Sequence, residues 1–84
     1  MTVLSELARS DDYFVRANVA ANKALPEKLL EQLAADPSES VRIYVAYNPG
    51  LSRARLEKMA TSDPSERIRA QAAKLLEMRA QSGR

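Results

Sequence analysis

One arginine recurs along the chain at near-constant spacing, as Arg16, Arg42 and Arg69, each directly behind a β-branched residue (Val15, Val41, Ile68). Guanidinium groups stacked in such a register have two chemistries open to them. They could form a basic stripe that grips phosphates or an acidic peptide. Alternatively, each could pair inside the molecule with a loop carboxylate drawn from Asp11, Asp12, Asp36, Glu39, Asp63 and Glu66. The abundance of those carboxylates and a formal net charge of only +2 favour the internal ladder. Contact with a nucleic-acid backbone through the arginines stands as the alternative function.

Two tyrosines offer a sharper candidate. Tyr44 and Tyr47 are three residues apart, which places them on one face of a helix and away from the Val41/Val45 stripe. Asn18, Gln71 and Lys74 occupy matching positions in the neighbouring segments, where the residues are small or polar. A tyrosine pair with such a border has the composition of an interface anchor. The plainer reading is that Tyr47 fills space between segments and Tyr44 lies along an arginine; the sequence leaves both open. Tyr13 and Phe14 are assigned to the N-terminal edge of the core.

Other chemistry is scarce. The chain has no His and no Cys, which removes the commonest general acid/base, the commonest metal ligand, thiolate sites and disulfides. Its two glycines, Gly50 and Gly83, cannot build a phosphate-cradling loop. Glu31 and Glu57 occupy matching positions, which reflects periodicity rather than a catalytic dyad. Arg53, Arg55 and Lys58 cluster beside Glu57 with no interleaved aromatic, as a solvated helix face would. No catalytic residue, metal ligand or cofactor is therefore expected, and function reduces to binding.

The elements that position these residues repeat. Leu7-Ala8, Leu33-Ala34 and Met59-Ala60 are spaced 26 residues apart. Val19-Ala20-Ala21-Asn22 aligns with Val45-Ala46-Tyr47-Asn48, Leu25 with Leu51, and Asp36-Pro37 with Asp63-Pro64 after a single insertion near Thr61-Ser62. A period of this size indicates a solenoid. Inside each copy the apolar spacing is helical, as in Val15, Val19 and Ala20. The Asp-Pro pairs, with Ser38 and Ser65 as competing caps, mark helix starts. Asn22 and Asn48 fall where a left-handed residue can end a helix; they are expected to cap it and to bond the amides of the following turn. The spacing predicts helices over 2–9, 12–21, 26–35, 38–47, 52–61 and 64–80.

Taken together, Val-Arg-x-x-Val-Ala-x-Asn, then Leu, then Leu-x-x-Leu/Met-Ala, carried by residues 15–34 and 41–60, resembles the leucine-rich repeat variant family. The resemblance spans roughly residues 7–73 and implies an all-α, right-handed superhelix of alternating long and short helices, with no activity of its own. HEAT-like repeats are similar but have longer units, ~40–47 residues. Some members of the variant family carry a cysteine-rich iron–sulfur segment, which a chain without Cys cannot reproduce.

The expected architecture is a short α-solenoid: one domain over 1–80, with about three helical-hairpin units at 7–32, 33–58 and 59–80. Residues 1–6 belong to an incomplete leading unit, the long C-terminal helix caps the stack, and 81–84 form a frayed tail. The apolar content is largely Ala, so the core is thin and a stability of about 3–5 kcal/mol is expected, unless the protein forms a homodimer. The N-terminus carries Glu6 where a signal peptide would be apolar, and no run approaches a membrane span; a cytoplasmic location follows as the expectation. The expected function is a protein- or peptide-binding scaffold. It would dock through the first-helix face of the middle unit at Tyr44 and Tyr47, with Arg42 and Lys74 at the rim and Asn18 and Gln71 at the border.

Overall fold

The computed structural model describes residues 6–82. Five helices with both ends among the described residues follow one another: α1 (Tyr13–Ala20), α2 (Glu27–Leu33), α3 (Glu39–Tyr47), α4 (Arg53–Ser62) and α5 (Glu66–Ser82). The described residues contain no strand. Of the helix expected over 2–9, residues 6–7 are helical and 8–9 form a turn; 1–5 lie outside the described residues. Of the tail expected over 81–84, residues 81 and 82 continue α5; 83–84 lie outside the described residues.

Local signals set the helix starts. Asp12 accepts from the Phe14 amide at 2.9 Å, Ser38 Oγ from Val41 at 3.4 Å and Ser52 Oγ from Arg55 at 3.2 Å, each satisfying an amide that the first turn leaves without a partner. Asp36 and Asp63 act one step earlier: their Oδ1 atoms accept from the Ser38 and Ser65 amides, both at 2.9 Å. Ser and Asp therefore share the turn rather than compete for it. The insertion near Thr61-Ser62 is absorbed by lengthening a helix. Helix α2 has seven residues and α4 has ten, so α4 runs unbroken to Ser62.

Packing follows the repeat. Helices α1, α3 and α5 lie side by side in one layer, with α2 against α3 and α4 against α5. The smallest dimension of the molecule is 16 Å, the thickness of two helix layers whose axes are ~8–10 Å apart. Equivalent positions fill the core: Leu25 and Leu51, Leu30 and Leu56, Leu33 and Met59, and Val41 with Ile68. Burying each of these large side chains stabilises the fold by roughly 1.5–3 kcal/mol, and no single helix could bury its stripe alone. Tyr13 and Phe14 are the exception to expectation. They are exposed and stacked on one another, with ring centroids 4.6 Å apart, instead of lining the core edge. The Val15 stripe points inward, and its immediate neighbours are therefore turned out.

Candidate functional site

The arginine ladder takes the internal form. Arg16 sends Nε to Asp36 Oδ2 at 2.7 Å and Nη2 to Asp36 Oδ1 at 3.2 Å, while its Nη1 donates to the Ser10 carbonyl at 2.7 Å. Arg42 repeats the arrangement one unit on, with Nε on Asp63 Oδ2 at 3.0 Å and Nη1 on the Asp36 carbonyl at 2.7 Å. Each arginine thus ties its own helix to the loop that starts the following unit. The Arg16 guanidinium is held above its ordinary pKa, chiefly by the hydrogen bond with Asp36, with the Asp36, Asp11 and Asp12 charges adding to it and desolvation opposing it. These side chains bind loops, and neither Arg16 nor Arg42 presents a free stripe to a phosphate backbone.

The asparagines act at the other end of the helices, just past the last residues of α1 and α3. Asn22 and Asn48 each accept, through Oδ1, the amide two residues ahead, from Ala24 and Gly50 at 2.8 Å. The left-handed turn expected at these asparagines is absent: among the described residues no non-glycine has positive φ, and Asn48 is extended at φ −70°, ψ 121°. Its backbone N–H closes the helix on the Val45 carbonyl at 3.1 Å, and its side chain is left to bond beyond the helix. The Nδ2 of Asn48 also reaches back to the Ala20 and Asn22 carbonyls, at 2.7 and 3.0 Å. This buried link between units pairs the Ala20 carbonyl at the C-terminal end of α1 and adds a second donor to the Asn22 carbonyl, which already accepts from the Leu25 amide at 3.1 Å. The third unit has Leu75 in this register, and Arg79 takes over the task. It donates Nη1 to the Leu51 carbonyl at 2.8 Å and Nη2 to the Asn48 carbonyl at 3.3 Å.

The exposed apolar residues are distributed unevenly. Tyr13, Phe14, Tyr44, Tyr47 and Met78, all 45–65% exposed, belong to α1, α3 and α5; among the described residues the other large exposed apolar side chain is Leu7, ahead of α1. Ser40, Ile43, Tyr44, Tyr47, Arg67 and Gln71 line a groove of about 510 Å³ between α3 and α5. Tyr47 also lines the adjoining hollow of about 430 Å³, which extends to Met78. The amide of Gln71 donates to the Tyr47 hydroxyl and braces that ring.

The structure therefore brings Tyr44, Tyr47 and Gln71 together. Lys74 is exposed on the same stripe of α5 as Arg67, Gln71 and Met78, and Asn18 is exposed on α1 at the register position of Tyr44. Arg42 is not at the rim. It is 8% exposed, locked to Asp63, and lines a separate cleft of about 410 Å³ with Arg55 and Lys58. The reason is geometric: Arg42 follows Val41, and its long side chain runs along the core edge to the next loop. Arg67, Phe14 and Met78 were not among the sequence candidates for this face. The repeat register carried the signal for two of them, because Phe14, Ser40 and Arg67 align. Met78 could be found only by extending the α5 stripe in steps of three and four. The Arg53 and Arg55 face is solvated, with Arg53 paired to Glu57 at 3.2 Å and Arg55 near Glu31 at 3.6 Å.

Comparison with known families agrees with the repeat. A model described as leucine rich repeat variant matches residues 13–38 and 40–65, together more than half of the chain. Neither a curated protein nor a solved structure shows a significant match.

Proposed function

Because the chain belongs to the leucine-rich repeat variant family, we propose that it is a non-catalytic module that binds a protein or peptide partner along the α3–α5 groove. One observation carries this reading: apart from Leu7, the large exposed apolar side chains among the described residues lie in the layer of α1, α3 and α5, and α2 and α4 contribute none. Exposed aromatic area is costly in water, and a concentration of it on one face marks a contact surface.

The groove suits an extended segment. From Arg67 to Met78 the α5 stripe runs about 16 Å by helical rise, room for about five residues of extended chain at ~3.3 Å each. Tyr44 and Tyr47 supply rigid rings with few torsions to freeze, and they anchor such a segment at low entropic cost. Arg67 and Lys74 would meet acidic side chains of the partner, and Asn18 and Gln71 would meet its backbone. Arg42 has no part in this face, because its guanidinium holds Asp63.

Selection of peptides from a displayed library against the wild-type protein tests the proposal. Binders are expected to lose at least tenfold in affinity toward the Tyr44→Ala/Tyr47→Ala protein, in keeping with aromatic hot spots, while circular dichroism stays helical. Binders that bind the double variant as well as the wild type reject the groove. A labelled duplex titrated at low and high salt examines the nucleic-acid alternative; binding that weakens steeply with salt would support it. Among the described residues no helix is long and apolar enough to cross a membrane.

A further inference from the structure

In each of the first two units, the flank of the first helix that faces along the stack is covered by the unit that follows. Ala20 and Ala46 are accordingly 0% and 1% exposed. The register partner in α5 is Ala73, which is exposed. The same flank carries Ala70 and Ala80, exposed, and Leu76, half-buried. It begins at Arg69, the last arginine of the ladder. Arg69 is oriented as the others are, with Nη1 on the Asp63 carbonyl at 2.6 Å. Where Arg16 and Arg42 hold Asp36 and Asp63 through Nε, however, Arg69 has no carboxylate partner among the described residues.

We infer that this flank is a homodimer interface, in which α5 packs antiparallel against α5 of a second copy about a two-fold axis at Ala73. The charge pattern is self-complementary. Arg69 and Glu77 lie four residues on either side of Ala73, on one face of the helix. An antiparallel two-fold pairs Arg69 with Glu77 of the second copy and, by symmetry, Glu77 with the second Arg69. Ala70 then meets Leu76 of the second copy twice over. Ala73 at the crossing lets the helix axes approach to about 8 Å. Glu77 is exposed and has no ion-pair partner among the described residues, so nothing competes for it.

A head-to-tail stack does not complete the ladder. The residue in the Asp36 register ahead of α1 is Ser10, so a following copy would bring a hydroxyl to the place where Arg16 and Arg42 donate to a carboxylate. The two-fold arrangement also leaves the tyrosine groove open, because Arg67, Gln71, Lys74 and Met78 lie on the opposite side of α5. The dimer and the partner groove are independent. The single-helix flank is small for a protein interface, which makes the dimer weak and its mass concentration-dependent.

Sedimentation equilibrium of the full chain tests the inference. The wild type is expected to rise from its monomer mass of 9.3 kDa toward twice that value as concentration increases. Glu77→Arg faces Arg69 with a like charge and is expected to weaken the dimer at least tenfold. It removes no contact of the fold, and circular dichroism should be unchanged. The reversed pair Arg69→Glu/Glu77→Arg should restore association. A wild type that stays monomeric at millimolar concentration overturns the inference, as does a dimer indifferent to Glu77→Arg. Neither result affects the peptide selection, which reads the other side of the helix.

Discussion

The junction between the first two units and the far end of α5 carry the same residues in the same register and use them differently. At the junction, Arg16 closes on Asp36, Asn48 closes on the Ala20 and Asn22 carbonyls, and Ala20 is sealed. At the end, Arg69 keeps its carbonyl partner but has no described carboxylate, Leu75 stands where an asparagine would, and Ala73 is bare. A repeat position thus has no fixed role. What a side chain does depends on whether a neighbour follows, which explains how one periodic sequence can yield both a structural ladder and an accessible flank.

The comparison breaks most visibly at the arginines. Arg42→Ala leaves Asp63 buried without its cation, a change expected to cost about 3–5 kcal/mol. For a domain this small that amounts to loss of the folded state, visible in a thermal melt by circular dichroism. Arg69→Ala removes a hydrogen bond and no described ion pair, and about 1 kcal/mol is expected. Equal losses at the two sites would mean that Arg69 has a carboxylate partner of its own in the monomer.

The asparagines give a smaller contrast. Asn48→Ala leaves the buried Ala20 carbonyl without its side-chain donor, while the Asn22 carbonyl keeps the Leu25 amide, and is expected to cost about 1–3 kcal/mol. Asn22→Ala loses the bond from the Ala24 amide, for about 0.5–1 kcal/mol. Urea denaturation of both variants measures the difference; if Asn22→Ala proves the more damaging, the link between units is not what Asn48 contributes. An effect of similar size concerns Arg79, the substitute for the third asparagine. Arg79→Met keeps the apolar stem but drops both bonds to the middle loop, and about 1 kcal/mol is expected. Hydrogen exchange at the amides around Asn48 and Leu51 should quicken in the same variant, localising the loss to that loop.

Much of the fold was legible because its signals are local. The Asp-Pro and Ser caps, the Val stripe and the 26-residue period each act within a few turns of chain, and the observed helices begin and end within about two residues of their expected limits. The pairing of arginines with loop carboxylates was legible too, since carboxylates crowd the loops beside them. Which carboxylate was not, because Arg16 passes over Asp11 and Asp12, next to it in sequence, for Asp36, twenty residues on. The groove was half legible. Tyr44, Tyr47 and Gln71 meet as their helical spacing suggested, whereas Arg42, one position out of phase, turns to the core edge.

Sequence by itself determined the helical grammar, the period and the residues that stripe each helix, because those follow from backbone torsions and from apolar spacing along a single segment. Tertiary structure alone decided that Tyr13 and Phe14 face water, that Asn48 bridges two units through its side chain, that Arg79 stands in for a missing asparagine, and that Arg69 has no described carboxylate. The reason is the periodicity itself. A repeating sequence writes nearly the same residues into every copy, and only the arrangement of copies in space distinguishes a position with a neighbour from one without.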